Sequence, residues 1–292
     1  MFLLLTIRSA FACDLCGCNS GNYFIGPLPQ FTYHFASMRY IFQPYNTTLR
    51  SDNSQFSNDQ YQTTELMLGT RIKSNWQLLA FIPYNESRLE SDDGINQHHG
   101  MGDITINGNY NLMNRLTLNK DTNTIDQQLW IGAGIKLPTG EFNVQESEIV
   151  SSANSQPGSG SLDFLLNALY TFQIKSWGLN ANINYKINQS AEHFKFGNRF
   201  SPTVFLFRAF HLGLLTLNPN IGLLYELFGA NWYNNEKVAD TGGHTLFAGT
   251  GLEIQYKKLA IGCNVQLPVS SELSSGQTHA LTRGMCHISL LF

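Results

Sequence analysis

The ten residues GLNANINYKI, Gly178 to Ile187, alternate without a break. Leu179, Ala181, Ile183, Tyr185 and Ile187 fall on one side, and Asn180, Asn182, Asn184 and Lys186 on the other. Successive side chains of a β-strand point to opposite faces, so this run makes a strand with one oily face and one wet face. A second stretch, LWIGAGIKLPTGEF at 129–142, repeats the pattern with a different inner set. Leu129, Ile131, Ala133, Ile135 and Leu137 share one face, Trp130, Gly132, Gly134 and Lys136 the other, and the run stops at Pro138-Thr139-Gly140.

Working outward from these two stretches, period-two alternation predicts strands at 31–43, 61–72, 75–84, 102–112, 127–137, 161–172, 177–187, 198–208, 213–227, 242–256, 257–267 and 282–292. There is almost no helix signal. The connections sort by length. Lys73-Ser74, Lys175-Ser176 and Tyr256-Lys257-Lys258 read as tight turns, whereas 44–60, 85–101, 138–160, 228–241 and 268–281 read as long polar loops. The 113–126 connection is longer than the other turns but falls on their side. Long loops therefore gather at one end and short turns at the other, which a soluble sandwich or propeller has no reason to do. An outer-membrane barrel does, with its short periplasmic turns, long extracellular loops and even number of antiparallel strands.

The physical reason is the solvent. In a bilayer every backbone polar group must be paired inside the protein, so a sheet crosses only by closing on itself, with large apolar residues toward lipid and polar or small ones toward the lumen. On this reading Trp130, Lys136, Asp163, Asn167, Asn180, Asn182, Asn184 and Lys186 line the pore. Trp76, Trp130, Trp177, Tyr84, Tyr170 and Tyr256 lie near strand ends and suit interfacial girdles. The chain ends Ile288, Leu290, Phe292, an aromatic terminus on the lipid-facing side that resembles the assembly signal of outer-membrane barrels.

Composition agrees. Charged residues make up 13% of the 292, about half the share usual for soluble chains, while 42% are apolar. The net charge of −3 and the lack of any basic run argue against nucleic acid as a partner. No window approaches the roughly eighteen continuous apolar residues of a membrane helix, so a helical membrane protein is excluded. The first residues, MFLLLTIRSAFA, resemble the end of a secretory signal, with Ala10-Phe11-Ala12 in the A-x-A cleavage pattern. Arg8 interrupts the apolar run, and a buried N-terminal strand is the other reading. The resulting division is a signal remnant at 1–12, a cysteine-rich periplasmic segment at 13–30 and a barrel at 31–292.

Three stretches carry a family resemblance: GDITINGNYNL (102–112), GIKLPTGEF (134–142) and PGSGSLDFLLNALYTF (157–172). They resemble the core of the meta-pathway of phenol degradation family of outer-membrane β-barrel proteins, which are regarded as transporters. The shared features are the Gly-Asp opening a strand, the Leu-Pro-Thr-Gly leaving one and the Gly-Ser-Gly re-entering. The resemblance implies a channel for small hydrophobic or aromatic compounds and carries over no catalytic residue.

Chemistry-bearing residues are sparse. CDLCGC places Cys13, Cys16 and Cys18 just after the cleavage pattern. Three chemistries fit it: a disulfide between two of the thiols, a soft metal ion held by all three, or lipid attachment at Cys13. Cys263 and Cys286 lie on the last two strands, opposite one another if the hairpin is symmetric about 274–275, and small lipid-facing fillers are the plainer reading. Ser91-Asp92-Asp93-Gly94 and His98-His99-Gly100 read as a solvated loop, and no serine is visibly paired with a base.

The reading is an all-β, closed antiparallel transmembrane barrel of about twelve strands in the outer membrane of a Gram-negative bacterium. It passes a small molecule without enzymatic chemistry or a required cofactor, its partners being membrane lipid and the solute. Two alternatives stand beside it: a structural barrel docking a periplasmic partner through a metal-binding cysteine tail, and an outer-membrane enzyme with its site at the rim.

Overall fold

The computed structural model describes residues 34–48, 56–73, 75–91, 94–118, 124–142 and 153–292. Twelve staves cross the membrane: β1 (Phe35–Thr48), β2 (Phe56–Lys73), β3 (Trp76–Ser91), β4 (Thr105–Leu118), β5 (Thr124–Lys136), β6 (Asp163–Ile174), β7 (Trp177–Ile187), β8 (Arg199–Arg208), β9 (Leu215–Phe228), β10 (Gly243–Tyr256), β11 (Leu259–Leu273) and β12 (Arg283–Leu291). Each pairs antiparallel with its sequence neighbour, and β12 returns to β1 from Phe35↔Leu291 to Phe42↔Gly284. That last pairing removes the sheet edge, which a bilayer cannot satisfy.

Burial follows the alternation. On β7, Asn182, Asn184 and Lys186 point inward and are buried, while Ile183 and Tyr185 are exposed. On β8, Thr203, Phe205 and Phe207 point inward against outward Val204 and Leu206. The outward side chains form the surface that meets lipid.

Above the bilayer the structure corrects the expected loops. Much of 44–60 and 85–101 is strand: β1 continues to Thr48, β2 starts at Phe56, β3 runs to Ser91, and Gly94–Met101 pairs back onto β3. The reason is the solvent on the outer face. Past the lipid, residues such as Gln60, Glu86 and Arg88 face water, so a strand continues without any apolar alternation to betray it. The 113–126 connection shrinks likewise, because β4 reaches Leu118 and β5 resumes at Thr124. Trp130 is also corrected: it is no girdle residue but an inward side chain, 1% exposed, with the Arg71 guanidinium 6.0 Å from its ring centre.

Residues between the staves at the outer end are organised too. Ser190–Ala191, Phe194–Lys195, Trp232–Tyr233 and Glu236–Lys237 form a separate four-stranded sheet. It joins the β7–β8 and β9–β10 connections, with Gly197 N donating to Asn231 Oδ1 at 2.8 Å and Gly229 N to Asn198 O at 2.7 Å.

Candidate functional site

Three segments far apart in sequence meet at the outer mouth of the barrel. Asp103 precedes β4, Lys136 ends β5, and Ser159, Ser161 and Asp163 lead into β6. Lys136 Nζ lies 2.5 Å from Asp103 Oδ2 and 2.9 Å from Asp163 Oδ2, and Lys186 Nζ reaches the same Asp163 oxygen at 3.4 Å. Lys136 also donates to Ser159 Oγ and, at 3.2 Å, to the Ser161 carbonyl. The four charged side chains are at most 5% exposed and cancel in sign. Such a set is costly to break, because removing one partner strands a buried charge.

The backbone is tied to the same centre. Asp103 accepts from Gly140 N at 3.0 Å and from Ser159 N at 2.9 Å, while Asp163 accepts from Ser161 Oγ at 2.7 Å and Gln189 N at 2.9 Å. Thr139 Oγ1 accepts from Ile104 N at 2.9 Å and donates to the Gly102 carbonyl at 3.2 Å. Gly140 and Gly158 touch backbone to backbone, since a Cβ on Gly140 would stand 2.7 Å from the Gly158 Cα. A side chain at either position would push the two segments apart.

This arrangement draws residues 153–161 inside the wall. Ala153, Asn154, Ser155, Ser159 and Ser161 are buried. Inward-facing residues of β3 hold them: Asn85 Nδ2 donates to Pro157 O at 2.8 Å and Ser87 Oγ to Ser155 O at 2.7 Å. Above, Phe142 and Ala153 pack with Phe194 and Phe196, connecting the inward segment to the outer four-stranded sheet. The mouth is thus narrowed by a loop, with polar anchors on one side and an aromatic cover on the other.

Below the mouth the interior divides into two halves. On β3 to β6 it is amide-rich: Asn107 Nδ2 donates to Asn109 Oδ1 at 2.7 Å, and Asn109 Nδ2 to Gln77 Oε1 at 3.2 Å. Asn167 Nδ2 reaches Asn109 Oδ1 at 2.9 Å. Gly132 and Gly134 give these amides room, since a Cβ on Gly132 would fall 2.0 Å from Asn109 Oδ1 and one on Gly134 2.7 Å from Asn107 Oδ1. On β8 to β12, Phe205, Leu224, Phe247 and Met285 form an apolar layer that Tyr45 and Tyr61 extend upward. There Glu226 is clamped by Arg199 at 2.8 Å and Arg283 at 3.0 Å, and the Arg283 guanidinium lies 3.8 Å from the Phe247 ring centre. A second apolar cluster joins Phe35, Met67, Leu79, Phe81, Leu165 and Leu291.

One hydrogen-bonded row has the residue types of a hydrolase. His287 Nε2 is 2.9 Å from Glu253 Oε1, and its Nδ1 is 3.1 Å from Ser289 Oγ. Ser289 is fully buried and donates to Ser37 Oγ at 2.7 Å, which in turn donates to the Ile288 carbonyl. The hydroxyl is therefore committed to Ser37 and His287 and shielded from solvent. His98 and His99 lie on the Gly94–Met101 strand. Both line a polar recess of about 440 Å³ with Gln60, Gln62, Glu86 and Arg88. Asp92 and Asp93 lie outside the described residues.

The eight inner-face residues read from sequence are all on β5, β6 and β7 and all point inward. Trp130, Lys136, Asp163, Asn182, Asn184 and Lys186 are buried, whereas Asn167 and Asn180 are half-buried. The structure brings Lys136, Asp163 and Lys186 into one ion cluster. Asp103, Ser159 and Ser161 were missed as functional residues, although each sits within a stretch that carries the family resemblance. Cys13, Cys16 and Cys18 lie outside the described residues.

The profile of a family described as "Putative MetA-pathway of phenol degradation" matches residues 46–273. No curated protein sequence matches the chain. The COG4313 outer membrane channel from Pseudomonas putida F1 has a similar structure, with 12% identity over 89% of this chain and 96% of that one and a TM-score of 0.63. The β domain of the Bordetella autotransporter BrkA matches with 10% identity over 89% of this chain and all of that one, at a TM-score of 0.53. At these identities the likeness establishes the fold, an outer-membrane barrel.

Proposed function

The chain belongs to the MetA-pathway phenol-degradation family of outer-membrane barrels, and from that premise we propose that it is a gated channel for small, weakly polar or aromatic molecules. The observation that carries the proposal is the inward segment 153–161, held in the mouth by the neutral Asp103–Lys136–Asp163–Lys186 set. A barrel serving only as an anchor has no use for a loop tied into its lumen. Beneath the segment, Phe205 and Phe247 are packed in a fully buried aromatic layer and the amides opposite are bonded to one another, so a solute meets this mixed apolar and amide lining only when the mouth opens. Such a lumen suits a molecule with an apolar body and few polar groups. The family's description and the likeness to an outer membrane channel support the same reading. Because Lys136 and Lys186 are both paired, ion selectivity rests on the whole cluster and not on two free cations.

Planar-bilayer recording tests this reading. Wild-type protein should open briefly, Asp103→Ala should raise the open fraction, and a neutral aromatic such as phenol should interrupt the current where glucose does not. Current that both solutes interrupt equally would remove the aromatic preference. Silent bilayers from both correctly folded proteins would overturn the channel and favour a barrel that docks a periplasmic partner, a reading with which the tightly filled interior also agrees.

A further inference from the structure

We propose that Cys263 and Cys286 are a disulfide-forming pair that staples the last hairpin, β11–β12, on the lipid side of the barrel. The two cysteines are direct cross-strand partners in an unbroken register from Leu259↔Leu290 to Gln266↔Arg283. Antiparallel pairs alternate between hydrogen-bonded and non-hydrogen-bonded kinds, and the second kind brings Cα atoms to about 4.5 Å with the side chains closer. The phase is set lower on the same ladder, where Leu291 N donates to Lys258 O at 2.7 Å. Lys258 with Leu291 is thus a hydrogen-bonded pair. Moving from 258 to 263 and from 291 to 286 is five steps on each strand, an odd number, so Cys263 with Cys286 is a non-hydrogen-bonded pair. A Cα separation near 4.5 Å lies within the roughly 4.4–6.8 Å that a disulfide spans. Both thiols are exposed on the outer face.

The surroundings determine when the bond forms. Ile261, Val265 and Ile288 flank the pair on the same lipid-facing side. Thiol–disulfide exchange needs a thiolate as attacking group, and an apolar phase disfavours that ion, so the bond forms while the hairpin is still in the aqueous periplasm. The oxidant is the disulfide of a periplasmic thiol oxidase. One cysteine attacks it to give a mixed disulfide, and the second displaces the enzyme sulfur. The two cysteines thereby lose two electrons and two protons and gain one S–S bond, while the enzyme disulfide becomes a dithiol. Once inserted, the bond sits beyond the reach of aqueous thiolates. Its effect is on register, because a one-residue slip between β11 and β12 would turn every inward side chain of one strand to lipid, His287 and Ser289 among them.

Peptide mapping of the protein in its own membranes tests the proposal. Membranes are dissolved in SDS containing N-ethylmaleimide, which caps every free thiol as the chain unfolds, and the protein is digested with trypsin without reductant. Cleavage at Lys258 and Arg283 places the two cysteines on separate peptides, 259–283 and 284–292. The expected result is one species joining these two peptides, free of alkylation, which separates on reduction. Maleimide on both cysteines, or either one linked to the peptide bearing Cys13, Cys16 and Cys18, would overturn it. In a Cys263→Ser variant, Cys286 should become fully alkylated with the barrel still folded; a Cys286 that stays blocked would show another partner and refute the pairing.

Discussion

The two halves of the barrel interior solve the same packing problem with different chemistry. From β3 to β7 the inner face carries Gln77, Asn107, Asn109, Asn182 and Asn184, and the ion set at the mouth caps it. From β8 to β12 the inner face carries Phe205, Leu224 and Phe247, and its charges are confined to the Arg199–Glu226–Arg283 clamp and the Glu253–His287 pair. Both halves use inward glycines to seat large neighbours. A Cβ on Gly132 would meet Asn109, whereas one on Gly222 would fall 2.6 Å from the Phe205 ring and one on Gly178 2.1 Å from Phe207. The first half depends on directed hydrogen bonds, so losing one anchor is a local event with a buried polar group left behind. The second half depends on contact area, so it tolerates a lost hydrogen bond better than a lost ring.

Substitutions separate the halves. The largest expected effect is Asp103→Ala, which leaves Lys136 with one acid where it had two and frees Ser159 and Gly140. Breaking a buried ion set by one partner costs about 3–5 kcal/mol. The loss should appear as a lower urea midpoint in lipid vesicles, accompanied by higher conductance. Phe205→Ala, in the other half, should cost about 3–4 kcal/mol through the cavity it leaves. Its open fraction should stay near wild type, and a conductance rise like that of Asp103→Ala would erase the distinction between the halves. Ile183→Arg places a charge toward lipid at the middle of β7 and should cost about 2–4 kcal/mol, read from the same unfolding curves. A cost near zero would mean that the outer face of this stave meets water. The smallest effect belongs to Asn109→Ala, at about 1 kcal/mol, because the neighbouring amides can re-pair among themselves. A cost equal to that of Phe205→Ala would show that the amides act as one cooperative network.

The same contrast explains what could be read without coordinates. Where the inner face is polar, as in Asn182 against Ile183, alternation alone assigns the direction of the side chains, although it does not at Leu79, Phe81 and Leu165 of the same half. In the apolar half Phe205 and Leu206 are alike in polarity, yet one is buried in the lumen and the other is 49% exposed. Period-two analysis still locates the strand, but it cannot choose the face. The inward glycines were the usable signal there, since Gly222 and Gly249 lie across the sheet from Phe205. Above the bilayer the signal fades altogether, which is why strand residues near Gln60 and Arg88 read as loop.

By itself the sequence determined the class of protein: a membrane solvent imposes period-two polarity, aromatic strand ends and short turns gathered at one end, and these survive in any linear reading. It set Cys263 opposite Cys286 only on the condition of a hairpin symmetric about 274–275, and the ladder between β11 and β12 supplies that register. Only the tertiary structure decided that Asp103, Lys136, Asp163 and Lys186 form one neutral cluster and that 153–161 turns into the lumen. Side-by-side pairing of four successive staves, β4 to β7, brings together residues up to 83 positions apart in that cluster, from Asp103 to Lys186, and no local pattern encodes a meeting at such separation. What a motif such as Gly-Asp or Gly-Ser-Gly does is set by which partner the closed sheet presents to it. That partner exists only once the neighbouring staves have paired.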